Sequence, residues 1–258
     1  MTNTNPNYKQ AINSARRFVR AVQRAGIRLD AAFLYGSYAL ETAREDSDID
    51  IALVSNDFTH RSDDWVKLRP VFQSMDARIE HVRYRPQDFR DENPLVWEIK
   101  TTGISLLGKA SKNYRADPKR PLKARAVVNY WRRTAERHWQ TAKTMFRFSR
   151  YLYALSFGTL YVEAALKQII VQRTHAHAPF RLPLKQLAEQ ANVTLTPAQC
   201  DLLARLDTYT IDADAPDHPL SSRKFTRRFC QTEMKAMRRF GKRLDTLLVP
   251  NAKRAQQR

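Results

Sequence analysis

Cysteine and glycine are both scarce in this chain. Cys200 and Cys230 are the only two cysteines in 258 residues. Neither has nearby ligands that would make a zinc site, and a disulfide is not expected in a cytosolic chain. The six glycines are scattered, so neither a G-x-x-x-x-G-K-[ST] loop nor a G-x-G-x-x-G turn can be written. That excludes the P-loop and dinucleotide-binding classes. Long apolar runs are also missing. The longest uncharged apolar stretch, residues 151–162, falls short of the roughly 20 residues a bilayer requires. The first residues lack a basic segment followed by an apolar one, so no secretory leader is expected. The chain reads as cytoplasmic, with no membrane partner. Acidic residues are in short supply too, with 26 Asp and Glu against 45 Lys and Arg and a net charge of +19.

That charge is unevenly spread. Residues 1–115 hold 18 basic and 15 acidic side chains, a balance of +3, and residues 116–258 hold 27 and 11, a balance of +16. A near-neutral first part and a strongly basic second part suggest two domains, 1–115 and 118–250, with a disordered basic tail at 251–258. The polar stretch 113–121, with two prolines, reads as the linker. The basic half suits a polyanion such as RNA, DNA or a nucleotide, and equally suits a set of solvated helix faces.

The first part alternates short apolar runs with helical periodicity. Residues 8–25 repeat apolar positions at helical spacing. Residues 31–35 read as a buried strand ended by Gly36, which permits a sharp turn and leaves room for a ligand. Ser37 offers a hydroxyl and a backbone N–H to a phosphate and is expected to cap a short helix over residues 38–43. After a polar loop, residues 48–54 read as a second strand. Asp48 and Asp50 then share one face while Ile49 and Ile51 point to the core. Two ionised carboxylates about 4 Å apart repel by about 4 kcal/mol at an effective dielectric near 20. A cation must offset that, and an oxygen-only donor set with substrate phosphates favours Mg²⁺, with two ions expected.

The run Tyr35-Gly36-Ser37, ten residues, then Asp48-Ile49-Asp50 resembles the minimal nucleotidyltransferases of the polymerase-beta-like superfamily. The resemblance implies that Gly36 and Ser37 bind the nucleotide triphosphate. It further implies that Asp48 and Asp50 are catalytic metal ligands joined by a third carboxylate from a later strand. Glu80, central in the apolar strand 77–82, is the preferred third ligand or general base, and Asp76, of the same parity, is its rival.

The second part is helical throughout, with helices expected over 122–148, 151–173, 183–191, 197–206 and 222–248. Residues 151–173 are apolar on most faces and read as the central buried helix. The fold class is therefore α+β, a mixed sheet with helices followed by an all-α bundle. Residues 161–170, with a Glu163-x-x-Leu166-Lys167 pattern, resemble the HEPN helical domains, which often accompany minimal nucleotidyltransferases. Many HEPN domains carry an Arg and a His four to six residues apart. The pair singled out here, Arg133 and His138, falls in the first bundle helix, and residues 209–216 hold none. His138 therefore reads as a packing residue. Basic and aromatic residues interleave at 147–151 and 223–229, where the rings are read as core and the arginines as exposed.

Taken together, the expected activity is transfer of a nucleoside monophosphate, most simply AMP from ATP, to an acceptor hydroxyl with release of pyrophosphate. The acceptor stays open among a small molecule, RNA and a protein hydroxyl, and so does a homodimer. The alternative is a nucleic-acid-binding or toxin–antitoxin-type HEPN module regulated by the first domain.

Overall fold

The computed structural model describes residues 6–59, 62–116, 121–179, 182–209 and 225–248. The tail 251–258, residues 117–120 of the linker and the stretch 210–224 lie outside the described residues. The chain divides into two compact units, Met1–Pro121 and Leu122–Arg258.

The first unit runs α1 (Pro6–Arg24), β1 (Ala31–Leu34), α2 (Gly36–Ala39), β2 (Ile49–Val54), α3 (Ser62–Gln73), β3 (Ile79–Tyr84), α4 (Pro94–Thr102) and β4 (Ile104–Ser105). Short 3-10 turns occupy Pro86–Asp88 and Gly108–Tyr114. The strands form one mixed sheet in the order β3-β2-β1-β4. β1 is antiparallel to both β2 and β4, whereas β2 and β3 are parallel. A parallel pair needs a long crossover, which α3 supplies.

Both faces of the sheet are covered, which explains why β1 and most of β2 are buried at every position. Leu34, Ile49, Ile51 and Leu53 pack against Phe18 and Val22 of α1 and Leu68 of α3. Ala31, Phe33, Tyr35, Ala52 and Val54 pack against Phe89 and against Val96 and Ile99 of α4. Such strands read as continuous apolar runs rather than as alternation. At the Asp48 end of β2 the second face carries carboxylates instead, and that is where the candidate site lies.

The second unit comprises α5 (Ala124–Arg147), α6 (Tyr151–Thr174), α7 (Leu184–Gln190), α8 (Pro197–Leu206) and α9 (Arg227–Leu247). α6 is its axis. By length and composition α6 could cross a membrane, a property the apolar stretch 151–162 alone does not show, but 78% of its most apolar window is buried inside the unit. A helix apolar all round is a core helix when others surround it. Packing of α6 on α9 depends on Gly241, where the Tyr161 hydroxyl sits against the backbone so closely that a Cβ would collide with it.

Two buried charged groups of this unit have side-chain partners. Glu233 of α9, 6% exposed, accepts hydrogen bonds from the Tyr209 hydroxyl at 3.2 Å and from Arg205 Nη2 at 3.2 Å. Lys167, 3% exposed, pairs with Glu163 at 2.6 Å and lies 5.0 Å from the Trp131 ring centre. Buried charges persist only when paired in this way. Thr196 and Gln199 close a reciprocal capping box at the start of α8, and Thr226 caps α9 by accepting from Phe229 N.

Candidate functional site

β1 ends at Leu34, and Tyr35 still donates its N–H to the Asp50 carbonyl at 3.0 Å, which extends the β1–β2 ladder by one residue. Gly36 then turns with φ +66. A Cβ there would run into the Asp50 carboxylate at Oδ2. Only a residue without a side chain permits both this backbone and that approach. The glycine turn and the second aspartate, fourteen positions apart in sequence, are therefore in direct contact.

Asp50 of β2 is the register partner of Glu80 of β3. In a parallel pair such neighbours project from the same face of adjacent strands. Asp48 lies one residue before β2, with the same parity as Asp50, and is exposed. Ser37 lies in the first turn of α2, half-buried, and its backbone carbonyl accepts from Thr42 N at 2.9 Å. It is not the expected N-cap. α2 starts two residues earlier than expected, at Gly36, and spans four residues, with Tyr35 at the cap position and no side-chain cap bond. The positive φ of Gly36 brings the chain into the helix sooner than a β-conformation Ser37 would.

Asp76 has other work. It accepts from Arg78 Nε at 3.1 Å, Arg78 Nη2 at 2.9 Å and the Ser14 hydroxyl of α1 at 3.1 Å. The Arg78 guanidinium, more than any other neighbour, holds the Asp76 carboxyl down at about 2. Asp76 thus anchors α1 to the start of β3, and Glu80 is the acidic residue of β3 that stands beside Asp50.

Burial and nearby carboxylates both act on the wall of this site. The Tyr35 phenol is raised well above its ordinary value, first by burial and then by Asp50, Tyr84, Glu80 and Glu98. The Glu98 carboxyl on α4 is itself raised by burial. Tyr35 and Glu98 are site-wall residues that motif reading misses. Tyr35 looks like the last apolar residue of a strand, and Glu98 like a solvated position of a short helix.

These side chains offer oxygen donors only. Among the described residues no group of three His, Cys, Asp or Glu side chains could hold a metal by itself. Magnesium asks for less, taking one or two protein carboxylates and completing its shell with phosphate oxygens and water. Asp50 and Glu80, adjacent in register, with Asp48 nearby in sequence, fit that demand.

In the second unit, Arg133 and His138 do not form a pair. Five residues along a helix amount to roughly 140° of rotation. Arg133 lines a cleft, while His138 lies 6.1 Å from the Phe157 ring and is held below its ordinary value, chiefly by burial. His175 is exposed at the end of α6.

Comparison with known proteins follows the same division. Residues 22–111 match the family model described as "Polymerase beta, Nucleotidyltransferase". Residues 128–245 match the HEPN domain model. No curated protein matches the chain. Among solved structures, one described as "Crystal structure of the toxin-antitoxin with AMP-PNP" is 20% identical, with 50% of this chain and 98% of that chain covered and a TM-score of 0.31. The glycine turn against Asp50 lies inside the first matched segment, and the α6 bundle spans the second. The chain thus belongs to the polymerase-beta-type nucleotidyltransferases in its first unit and to the HEPN domains in its second.

Proposed function

We propose that the first unit transfers a nucleoside monophosphate from a nucleoside triphosphate, ATP in the simplest case, to an acceptor hydroxyl and releases pyrophosphate. The contact between Gly36 and the Asp50 carboxylate, with Glu80 beside it in register, carries this reading. A glycine backbone lets phosphate oxygens come close to the carboxylates, which is the juxtaposition nucleotidyl transfer needs. Gly36 and Ser37 hold the triphosphate through backbone N–H groups and the Ser37 hydroxyl. Asp48 and Asp50, with Glu80, would hold magnesium, which when bound supplies charge neutralisation at the phosphates. Glu80 is exposed, so an acceptor hydroxyl can reach it. Its carboxylate takes the acceptor proton or completes the donor set. The Tyr35 phenol, kept protonated chiefly by burial, closes the wall behind Asp50.

The test uses the full chain with α-labelled ATP and magnesium. The wild type releases pyrophosphate and moves label into an acceptor fraction, and Asp50→Asn does neither while keeping its melting temperature. The fraction that gains label, whether protein, RNA or small molecule, names the acceptor class. Wild-type transfer by Asp50→Asn would show the assignment to be wrong.

A further inference from the structure

A second site is built into the helical unit, where α5, α6 and α9 enclose a cleft of about 990 Å³. Pockets of this size accommodate small-molecule ligands. Its floor is α6. Gln168 lies there, 6% exposed, and makes no hydrogen bond to another described residue. Its amide atoms are not sealed from solvent, so they open onto the cleft and a ligand hydroxyl can take the place of water there. Ala165, one turn earlier, leaves space above the floor.

Arg238 of α9 lines the same cleft. Its guanidinium lies 5.3 Å from the Trp139 ring centre and 5.5 Å from that of Tyr161, and Nη1 donates to the Tyr161 hydroxyl at 3.0 Å. It forms no ion pair with a described carboxylate. Aromatic contacts therefore fix its position, and most of its donors are left for a ligand. Arg125, Arg132 and Arg133 of α5 add three more guanidiniums to the lining.

The lining is not purely basic. Glu136 of α5 and Asp245 of α9 face the same cleft. They sense one another, since burial chiefly raises the Asp245 carboxyl, Arg238 opposes the rise and Glu136 adds to it. A bare anion would meet repulsion from both carboxylates, and a polycation would meet four arginines. A ligand that carries an anionic group together with hydroxyl donors suits both sets. The floor offers no open ring face on which a base could stack, because Arg238 already covers Tyr161.

We propose that this cleft binds a phosphorylated polyol, a sugar phosphate in chemical class. The phosphate is gripped by Arg132, Arg133 and Arg238, and the hydroxyls bond to Gln168, Glu136 and Asp245. Planar guanidiniums match phosphate oxygens with paired hydrogen bonds, and carboxylates and amides accept from hydroxyls. The inference does not rest on nucleotidyl transfer by the first unit.

The test is calorimetric titration of the full chain with glucose 6-phosphate as the probe. Glucose, inorganic phosphate and AMP are run in parallel. Saturable one-to-one binding of glucose 6-phosphate is expected, with glucose and phosphate at least ~10-fold weaker. The double variant Arg132→Ser/Arg133→Ser, altered only at exposed positions, should weaken glucose 6-phosphate at least ~10-fold without lowering the melting temperature. Gln168→Leu, of similar volume, should weaken it by about 10-fold. Absence of binding at about 10 mM probe would overturn the proposal, as would binding that the double arginine variant leaves intact. AMP binding that is tighter than glucose 6-phosphate and lost in the double arginine variant would also overturn it, in favour of base recognition.

Discussion

In the sheet unit the candidate carboxylates stand at the end of a strand pair, whereas in the helical unit buried charged side chains sit between helices and are tied to fixed partners. Asp50 owes its place to the backbone, since β-register sets it beside Glu80 and the Gly36 turn lets it approach. Glu233 and Arg238 owe theirs to other side chains, Tyr209 and Arg205 in one case and Trp139 and Tyr161 in the other. A backbone-built site tolerates changes in its surroundings but not in its glycine. A side-chain-built site has the opposite sensitivity.

The sharpest way to break this contrast is Gly36→Ala. The substitution forces a side chain into a φ of +66 and into the Asp50 carboxylate. Transfer of label from α-labelled ATP should fall by at least ~10²-fold, because displacements of about 1 Å near reacting groups cost that much. Ligand binding by the helical unit should be unchanged. Retained activity would show that the turn does not set the site.

Gly241→Ala is the counterpart in the second unit. Its Cβ meets the Tyr161 hydroxyl. Overpacking of this kind destabilises by about 1–3 kcal/mol, to be read as a lowered melting temperature with nucleotidyl transfer intact. An unshifted melting curve would mean that α9 has room to move.

The next effect separates the units by pH. In the sheet unit His81 is held down at about 4, first by burial and then by Arg83, and it stacks on Phe72 with ring centres 4.4 Å apart. A depressed pKa favours the neutral ring, so this stabilisation is complete above the ordinary histidine value of 6.5. It is lost as pH falls towards 4, on the order of 2 kcal/mol in all. Asp76, held at about 2, adds a second loss between roughly pH 4 and 2. His81→Phe should therefore resist acid unfolding down to about pH 4. If wild type and variant lose stability in parallel over pH 6.5 to 4, the burial argument for His81 fails.

The helical unit weakens on the alkaline side. The Tyr209 phenol is pushed up to about 12, by burial first and then by Glu233. A raised pKa favours the protonated form, so the stabilisation is present below the ordinary value of 10 and lost as pH rises through about 12. Tyr209→Phe should cost about 1 kcal/mol at neutral pH through the lost bond to Glu233 and should flatten the alkaline decline. Urea melts at pH 8 and pH 11 would check both.

Much of the architecture was legible in the sequence because helical periodicity and short apolar strands depend on local spacing. The α6 core helix, the strand pair flanking Gly36 and the parity of Asp48 with Asp50 all follow from positions a few residues apart. The start of α2 was misplaced because Ser37 is a good capping residue, and nothing local shows that Gly36 turns with positive φ. The choice between Asp76 and Glu80 could be argued from the central place of Glu80 in its strand but not closed. What occupies Asp76 is Ser14, 62 positions away, together with Arg78. The cleft in the second unit left no signal, since α5, α6 and α9 contribute its walls from opposite ends of the domain. Arg238 there reads as one more charge on a basic helix.

The contact at Gly241 reaches beyond stability. Because a tyrosine oxygen rests directly on bare main chain, the gap between two of the bundle's rods is set by a residue with nothing to trim. Variation at that point can only push those rods apart. Relatives that carry bulkier groups there would be expected to hold a looser bundle.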